Sequence, residues 1–397
     1  MGSGGVDYSK EYFTIESLAD NNSISFGLNS NSANITISWS LDKETWHDYT
    51  AEYKSPWTYV FTTLSSGEKV YIKGNNFYYS TSTSLSYHYF RASEDAVISG
   101  NIMSLIYGDN FQGETTISYQ YAFNNLFYNF SHLTNAENLI LPATSLSSYC
   151  YSYMFNGCSA LTKAPVLPAE TMASYCYYFM FYGCSALTTA PDLPAETMAT
   201  YCYGYMFINC RSLTTLPELP AETLAEACYF SMFSGCVSAT IAPDLPATTL
   251  AKSCYANMFI NCRSLTTLPE LPAETLAEAC YFSMFNGCTL LATAIDLPAT
   301  TLAESCYNGM FSGCTLLTTA PELPATRLEK TCYRNMFYGC SRIDYIKCLA
   351  NTNFSASNCL QNWLSSVSAT GTFVKSRGVS WPSGVSGIPS GWTVQEI

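Results

Sequence analysis

Hydrophobic and polar residues follow two different periods along this chain. In the first hundred residues apolar and polar positions alternate over short runs, as at Ile35, Ile37, Trp39 and Leu41. From residue 150 onward the apolar positions recur every 26 residues without insertions, and a degraded unit that starts at residue 122 precedes them. Alternation predicts β-strands, whereas a fixed period of about 20 to 50 residues predicts stacked supersecondary units.

Eight regular units share the same landmarks. Each begins with a Cys-Tyr pair, and a methionine and a second cysteine follow four and eight residues after the first cysteine. The first cysteines are Cys150, Cys176, Cys202, Cys228, Cys254, Cys280, Cys306 and Cys332. One stretch of 28 residues, Met206 to Phe233, recurs without change from Met258 to Phe285. Duplication of whole periods is what a stack of repeats tolerates, because each repeat contacts only its neighbours.

Altered units stand at both ends of the array. Upstream, Ala122-Phe123 takes the place of Cys-Tyr, and downstream Cys359 and Trp363 keep the spacing before the pattern ends. A finite stack needs such capping units, because its terminal faces have no neighbour to cover them.

The interior of one unit suggests two elements. Residues 187–194 are apolar at intervals and end in proline, which predicts a short strand or extended rung. Downstream of this rung, Met198, Cys202, Tyr203, Met206 and Phe207 recur at helical spacing. We therefore predict an α/β repeat solenoid with one short strand and one helix in each 26-residue coil.

The order Met-Phe-x-Gly-Cys-x-x-Leu-Thr, then Leu-Pro, then an aromatic pair resembles the BspA-type leucine-rich repeats of bacterial and phage surface proteins. The resemblance covers about residues 122 to 350. It implies a leucine-rich-repeat solenoid that serves adhesion or protein binding without catalysis. Leu-x-x-Ala-Pro-x-Leu-Pro replaces the usual Leu-x-x-Leu-x-Leu rung, so which face is concave stays open.

The segment ahead of the array has its own pattern. The runs "YFTIESL", "SISFGL", "NITISWSL", "WTYVFTTL" and "KVYIKG" predict strands separated by Asn, Asp, Ser and Gly turns. They indicate an antiparallel β-sandwich with an immunoglobulin-like outline. The aromatic residues Trp46, Trp57 and Tyr78 are secondary candidates for sugar binding.

The predicted domain organisation follows from these patterns. It comprises a flexible leader (1–7), a β-sandwich domain (8–98), a junction with an N-terminal capping repeat (99–149), eight repeats (150–350) and a C-terminal cap (351–397).

Composition excludes several classes of function. The chain has 397 residues and a formal net charge of −13, and it has no basic cluster that could neutralise phosphates, so we expect no nucleic-acid partner. No run approaches the roughly 18 apolar residues of a membrane span. The first residues show neither the basic nor the apolar region of a signal peptide. We expect an extracellular, cell-surface or phage-virion location.

The 18 cysteines allow two interpretations. One is a disulfide ladder or metal array; the other is a set of small buried residues that stack on their copies in the next unit. Spacings of eight and 18 residues match no zinc motif, and the chain has only three histidines, so we predict buried free thiols and no metal or cofactor.

A carboxylate occupies the same place in six consecutive units. These residues are Asp192, Glu218, Asp244, Glu270, Asp296 and Glu322. Stacking would bring them about 5 Å apart in a column. Such a column is either a solvated acidic face or a surface that binds calcium, because like charges at this distance repel unless a cation bridges them.

Positions that are constant in every repeat form the core, so the positions that vary between repeats are the ones that a ligand can contact. In the segment after Cys-Tyr these positions carry Tyr, Phe, Ser, Asn and Gly, a mixture typical of binding loops. The binding-surface candidates are Tyr153, Tyr178, Phe179, Tyr182, Tyr205, Phe230, Phe282, Arg334 and Tyr338. Drift under weak constraint would produce the same variation.

The sequence therefore predicts a non-catalytic adhesion or recognition protein that presents a protein- or glycan-binding surface. None of the three histidines, His47, His88 and His132, lies in a recognisable nucleophile motif, so we expect no enzyme. The alternative is a structural spacer whose recognition lies in its terminal domains.

Deleting residues 206–257 should leave a shorter protein that still unfolds cooperatively, because two whole periods are removed and matching ends are rejoined. Thermal unfolding followed by circular dichroism measures this. An out-of-phase deletion of thirteen residues from the same segment is the control and should abolish the transition. Loss of cooperative unfolding in the 52-residue deletion would contradict the stacking of repeats.

Overall fold

The computed structural model describes residues 6–29, 32–53, 59–81 and 86–397. The chain divides into two compact units, Met1–Pro194 and Ala195–Ile397, called unit 1 and unit 2 below. The division falls inside the array of repeats, so each unit contains several of them. The predicted domain boundaries stay a prediction.

Unit 1 begins with short antiparallel strands. After a single turn of 3₁₀ helix at Tyr8–Lys10, the chain forms β1 (Phe13–Ser17), β2 (Asn22–Leu28), β3 (Ile35–Ser40), β4 (His47–Ala51), β5 (Val60–Leu64), β6 (Lys69–Lys73), β7 (His88–Ala92) and β8 (Ala96–Asn101). Helix α1 (Ser104–Tyr107), a 3₁₀ turn (Gly108–Asn110) and β9 (Leu133–Ile140) follow.

These strands make two sheets. The larger has the order β4-β3-β6-β1-β8-β9 and the smaller β5-β2-β7. Phe90 links the two, with ring centroids 5.3 Å from Phe13 of β1 and 4.6 Å from Phe26 of β2. All three rings are fully buried. The core of this region therefore lies between the sheets.

The strand order differs from the immunoglobulin-like outline that the sequence suggested. In an immunoglobulin domain the first two strands share a sheet, whereas β1 and β2 lie in different sheets here. Alternation of polar and apolar residues predicts strands and their faces, but it does not specify which strands pair.

The predicted strands are present, with one correction to their faces. Each of the five quoted runs contains one of β1, β2, β3, β5 and β6, although Trp57 and Thr58 lie outside the described residues. On β3, Ile37 is fully buried, Trp39 is half-buried and Leu41 is 53% exposed. The strand ends at Ser40, so the alternating face is lost before Leu41.

Strand β9 joins the repeats of unit 1 to the larger sheet. It pairs in parallel with β8, with Gly100 opposite Leu139, and Asn135 of β9 bridges Lys163 of the next repeat. The sheet therefore covers the first face of the stack in unit 1.

Backbone hydrogen bonds join successive repeats within each unit. In the Cys-Tyr segment of unit 1, every second N–H donates to a carbonyl of the next repeat at 2.8–3.2 Å. Tyr151 N–H, for example, donates to Cys176 O at 3.0 Å. The intervening N–H groups donate to carbonyls three residues earlier in the same segment. In unit 2, Tyr229 N–H likewise donates to Cys254 O at 3.0 Å.

The predicted helix in each repeat is wrong. An α-helix needs N–H groups bonded four residues back and right-handed backbone throughout, whereas every fourth residue here is left-handed, as at Tyr149, Tyr153 and Gly157 with φ of 59°, 58° and 77°. The segment is a series of four-residue turns. Its period of four resembles the 3.6 residues of a helical turn, so apolar spacing alone does not separate the two structures. Among the described residues, α1 is the single α-helix, and it is too short to span a membrane.

The predicted rung is extended but is not a continuous strand. In unit 2 it appears as isolated parallel bridges, from Ile241 to Thr267 and from Thr293 to Thr319. The proline of each Leu-Pro pair has no N–H to donate, which keeps these ladders short.

Identical side chains form buried ladders. In unit 2 the rings of Tyr229, Tyr255 and Tyr281 stack with centroids 5.7 and 6.0 Å apart. The ladder ends at Trp363, whose ring stacks on Tyr333 at 6.1 Å. Beyond the repeats, β10 (Tyr345–Lys347), β11 (Gly371–Lys375) and β12 (Trp392–Glu396) form a parallel sheet.

Alanine at Gly100 should destabilise unit 1 by about 3 kcal/mol or more, because a Cβ there would meet the backbone carbonyl of Tyr12 and would also strain a left-handed residue (φ of 80°). Gly113→Ala is the matched control: φ is 84° and nothing lies within 4 Å, so the cost should be about 1–2 kcal/mol. Denaturant unfolding measures both. Equal losses would contradict the close approach of β8 to Tyr12.

Candidate binding surfaces

Aromatic side chains collect on the turn segments of unit 1. We call this group the aromatic cluster, and it consists of Tyr121, Tyr149, Tyr153, Tyr175, Tyr178, Phe179 and Tyr182. All seven are half-buried. The ring of Tyr153 stacks on Phe179 with centroids 5.0 Å apart and planes 8° apart, and Phe179 contacts Tyr182 at 5.5 Å. The structure thus brings together the four unit 1 residues that sequence variation singled out.

Three members of the aromatic cluster, Tyr121, Tyr149 and Tyr175, were not among the candidates predicted from the sequence. Tyr149 lies between Tyr121 and Tyr175, with ring centroids 4.8 and 4.6 Å away and planes within 14°. The residue before the first cysteine also changes along the array, from tyrosine at 149, 175 and 201 to alanine at 227. That variation is the same signal that identified the other candidates.

The aromatic residues occupy backbone positions that favour other amino acids. Each turn segment has three left-handed residues, and the third is always glycine or asparagine, as at Gly157 and Gly183. A left-handed backbone costs about 1–2 kcal/mol for a residue with a Cβ. Tyr149, Tyr153 and Phe179 take this conformation nevertheless. Stacking of each ring pair, worth about 0.5–1.5 kcal/mol, offsets part of the cost.

Aromatic candidates are sparser in unit 2. Tyr205 contacts Phe230 at 5.1 Å, and Tyr201 contacts the same ring at 6.0 Å. Phe282 and Arg334 are half-buried, while Tyr338 is 46% exposed. Small or polar residues separate these positions along the column, as Ala256 separates Phe230 from Phe282.

The acidic column lies on the rung side of the repeats. In unit 2 its five members, Glu218, Asp244, Glu270, Asp296 and Glu322, are exposed. Glu322 forms an ion pair with Lys347 at 2.9 Å. No group of three or more potential metal ligands occurs in the part of the chain that the structure describes. Calcium binding by the column therefore stays a hypothesis.

Charged side chains form a second column in unit 2, at the position two residues before the first cysteine of each repeat. It includes the ion pairs Lys252 to Glu278 at 2.9 Å and Lys330 to Glu304 at 2.6 Å. Hydrogen bonding to these carboxylates raises the pKa of both lysines. Each pair joins neighbouring repeats on an exposed edge of unit 2.

The cysteines are buried, as predicted. Seven second cysteines of the repeats donate their thiol to a phenylalanine carbonyl at 3.0–3.2 Å, which places an otherwise reactive group in a hydrogen bond. Cys262 Sγ, for example, lies 3.1 Å from Phe233 O. Burial raises the pKa of the Cys150 and Cys306 thiols to about 12. These groups are packing residues that stay protonated at neutral pH.

The N-terminal aromatic residues do not form one surface. Trp46 is half-buried, with the Lys73 ammonium 4.0 Å from its ring and Tyr12 at 5.0 Å. Tyr78 is 45% exposed, and Trp57 lies outside the described residues. Contacts to Trp46 from both neighbours leave little of its ring for a sugar.

Comparison with known proteins adds little to this description. No family model and no curated protein matches the chain. The chain is similar to the crystal structure of a leucine-rich repeat protein from Bacteroides ovatus ATCC 8483, with 18% identity over 71% of this chain and 67% of the other. The TM-score is 0.36, so this similarity carries no argument for fold or function.

Native protein should react slowly with a thiol reagent, and its reaction should not accelerate between pH 7 and pH 10, because burial holds the thiol pKa near 12 at sites such as Cys202 and Cys254. Titration with Ellman's reagent measures this. Denatured, unreduced protein is the control and should show all 18 thiols. Eight disulfides in that control would contradict the packing role and indicate an oxidising compartment.

Proposed function

We propose that this protein is a non-catalytic recognition protein and that the aromatic cluster is its binding surface. One observation carries the proposal: seven half-buried rings gather on one side of unit 1. Five of them, Tyr121, Tyr149, Tyr153, Tyr175 and Phe179, take a left-handed backbone that glycine or asparagine would adopt with less strain. Unfavourable local conformations concentrate at functional sites, where another requirement selects the residue.

The composition of the surface supports recognition. Tyrosine supplies a large contact area at low entropic cost, as in antibody binding loops, and six of the seven cluster members are tyrosines outside the fully buried core. The phenol of Tyr149 can donate a hydrogen bond, because a tyrosine is protonated at neutral pH and desolvation raises the pKa of this one further.

The ring geometry favours a protein partner over a glycan. Sugars bind aromatic residues through the ring face, where the negative quadrupole attracts C–H groups. The face of Tyr149 is covered on both sides, by Tyr121 at 4.8 Å and Tyr175 at 4.6 Å. The cluster therefore offers ring edges and hydroxyl groups, which suit the mixed polar and apolar surface of a protein.

We place this activity on a bacterial surface or a phage tail, in keeping with the resemblance of the repeats to BspA-type proteins. The alternative is a structural spacer, and one observation favours it. In most repeats of unit 2 the first left-handed residue of the turn segment is small, as at Ala227, Ser253 and Ala279. Much of the array thus lacks an aromatic surface.

Replacing Tyr153 and Phe179 together with asparagine should abolish binding and shift the melting temperature by only a few degrees. Asparagine tolerates the left-handed backbone, and Asn257 and Asn335 already occupy this position. The measurement is binding of labelled full-length protein to parallel arrays of cell-surface proteins and glycans, with thermal unfolding alongside.

Tyr345→Asn is the matched control, because it removes a 42% exposed tyrosine from β10 and should leave array binding unchanged. Signals confined to the glycan array would contradict a protein partner. Binding that survives the double substitution but is lost when residues 351–397 are removed would favour the spacer alternative.

A further inference from the structure

Two equivalent grooves open between rungs of unit 2. The first has a volume of about 450 Å³, and Leu219, Pro220 and Ile241 contribute its apolar lining. The second has a volume of about 470 Å³ and includes Leu271 and Pro272. Each described lining residue of the second groove lies 52 residues after a lining residue of the first. The grooves therefore repeat with the same period as the duplicated 28-residue stretch.

A carboxylate stands at each side of both grooves. Glu218 and Asp244 flank the first, and Glu270 and Asp296 flank the second. All four are exposed, and none has a basic side chain within ion-pair distance in the described part of unit 2. The next member of the column, Glu322, is already paired with Lys347. Each groove is thus flanked by two carboxylates that have no ion-pair partner among the described residues of unit 2.

The lining and the charges together specify the chemistry of an occupant. Lysine and arginine combine an apolar stem with a cationic head, and such side chains lie with the stem on apolar surface and the head beside charge or water. The apolar lining suits the stem, and the exposed Ile241 (61% exposed) extends that surface. The paired carboxylates suit the head.

The spacing of the grooves limits the conformation of the partner. Two stacked repeats separate the grooves by roughly 10 Å at about 5 Å for each strand spacing. A polyproline II segment rises about 3.1 Å per residue and presents every third residue on the same side, which places them about 9 Å apart. A β-strand places the side chains of one face about 7 Å apart, which does not match.

We propose that the two grooves bind lysine or arginine side chains three residues apart on an extended, proline-rich segment of a partner protein. This surface lies on the rung side of unit 2 and is separate from the aromatic cluster in sequence and chemistry. The duplicated stretch then has a direct use, because it supplies two copies of one half-groove.

Synthetic peptides test the proposal with the full-length protein. The probe is a fluorescent proline-rich peptide with three lysines at every third position, and the control peptide has the same composition with its lysines adjacent. Fluorescence anisotropy should show the spaced peptide binding about tenfold more tightly, since only it reaches both grooves. Equal affinity of the two peptides, or no binding of the spaced peptide, would overturn the proposal.

Two matched double variants locate the site. Glu218→Gln with Glu270→Gln removes one carboxylate from each groove and should weaken binding of the spaced peptide about tenfold. Glu222→Gln with Glu274→Gln makes the same change four residues away, at exposed positions outside the grooves, and should change the affinity less than twofold. If both variants weakened peptide binding equally, the loss of affinity would come from the change in overall charge, and the proposed site would be refuted. Two measurements check that each variant is folded. Its binding to the arrays of cell-surface proteins and glycans and its melting temperature should both match those of the wild-type protein.

Discussion

The hydrogen bonds between successive turn segments are the constraint on which the repeats of both units depend. Every second N–H of a segment points at the next repeat, as from Phe233 to Met258 O at 3.0 Å. A chain can alternate its donors in this way only if it reverses handedness regularly, which explains the left-handed residue at every fourth position. No segment can satisfy these donors alone, so each repeat requires its neighbour.

This constraint explains why the landmark residues recur so strictly. Backbone pairing in parallel places each side chain over its copy, and a residue that stacks well once stacks well in every repeat. Phe233 O accepts from Cys236 N–H at 3.0 Å and from the Cys262 thiol at 3.1 Å. Cysteine suits this position because it is small and apolar and still offers a weak donor. An insertion of one residue would break these contacts between the altered repeat and its two neighbours.

The same stacking leaves two sides of each repeat available for recognition. On the turn side, half-buried rings such as Tyr153 and Phe179 contact one another across repeats of unit 1. On the rung side, prolines limit the ladder to single bridges, and grooves edged by residues such as Glu218 and Asp244 remain in unit 2. In our proposals the aromatic edges bind a protein surface and the paired carboxylates bind basic side chains, so one kind of repeat would carry two separate binding surfaces.

The sequence by itself determined the 26-residue period, the burial of the cysteines and the strands β1, β2, β3, β5 and β6. These features depend on which positions are apolar and on what interval, and both are visible in the letters. The tertiary structure decided the rest. A four-residue turn and a helix space Cys202 and Met206 almost alike, and they differ in whether N–H groups bond within the segment or to the next repeat. Likewise, the stacking of Tyr121, Tyr149 and Tyr175 and the grooves beside Glu218 and Glu270 exist only once separate repeats lie side by side, because residues 26 or more positions apart meet there.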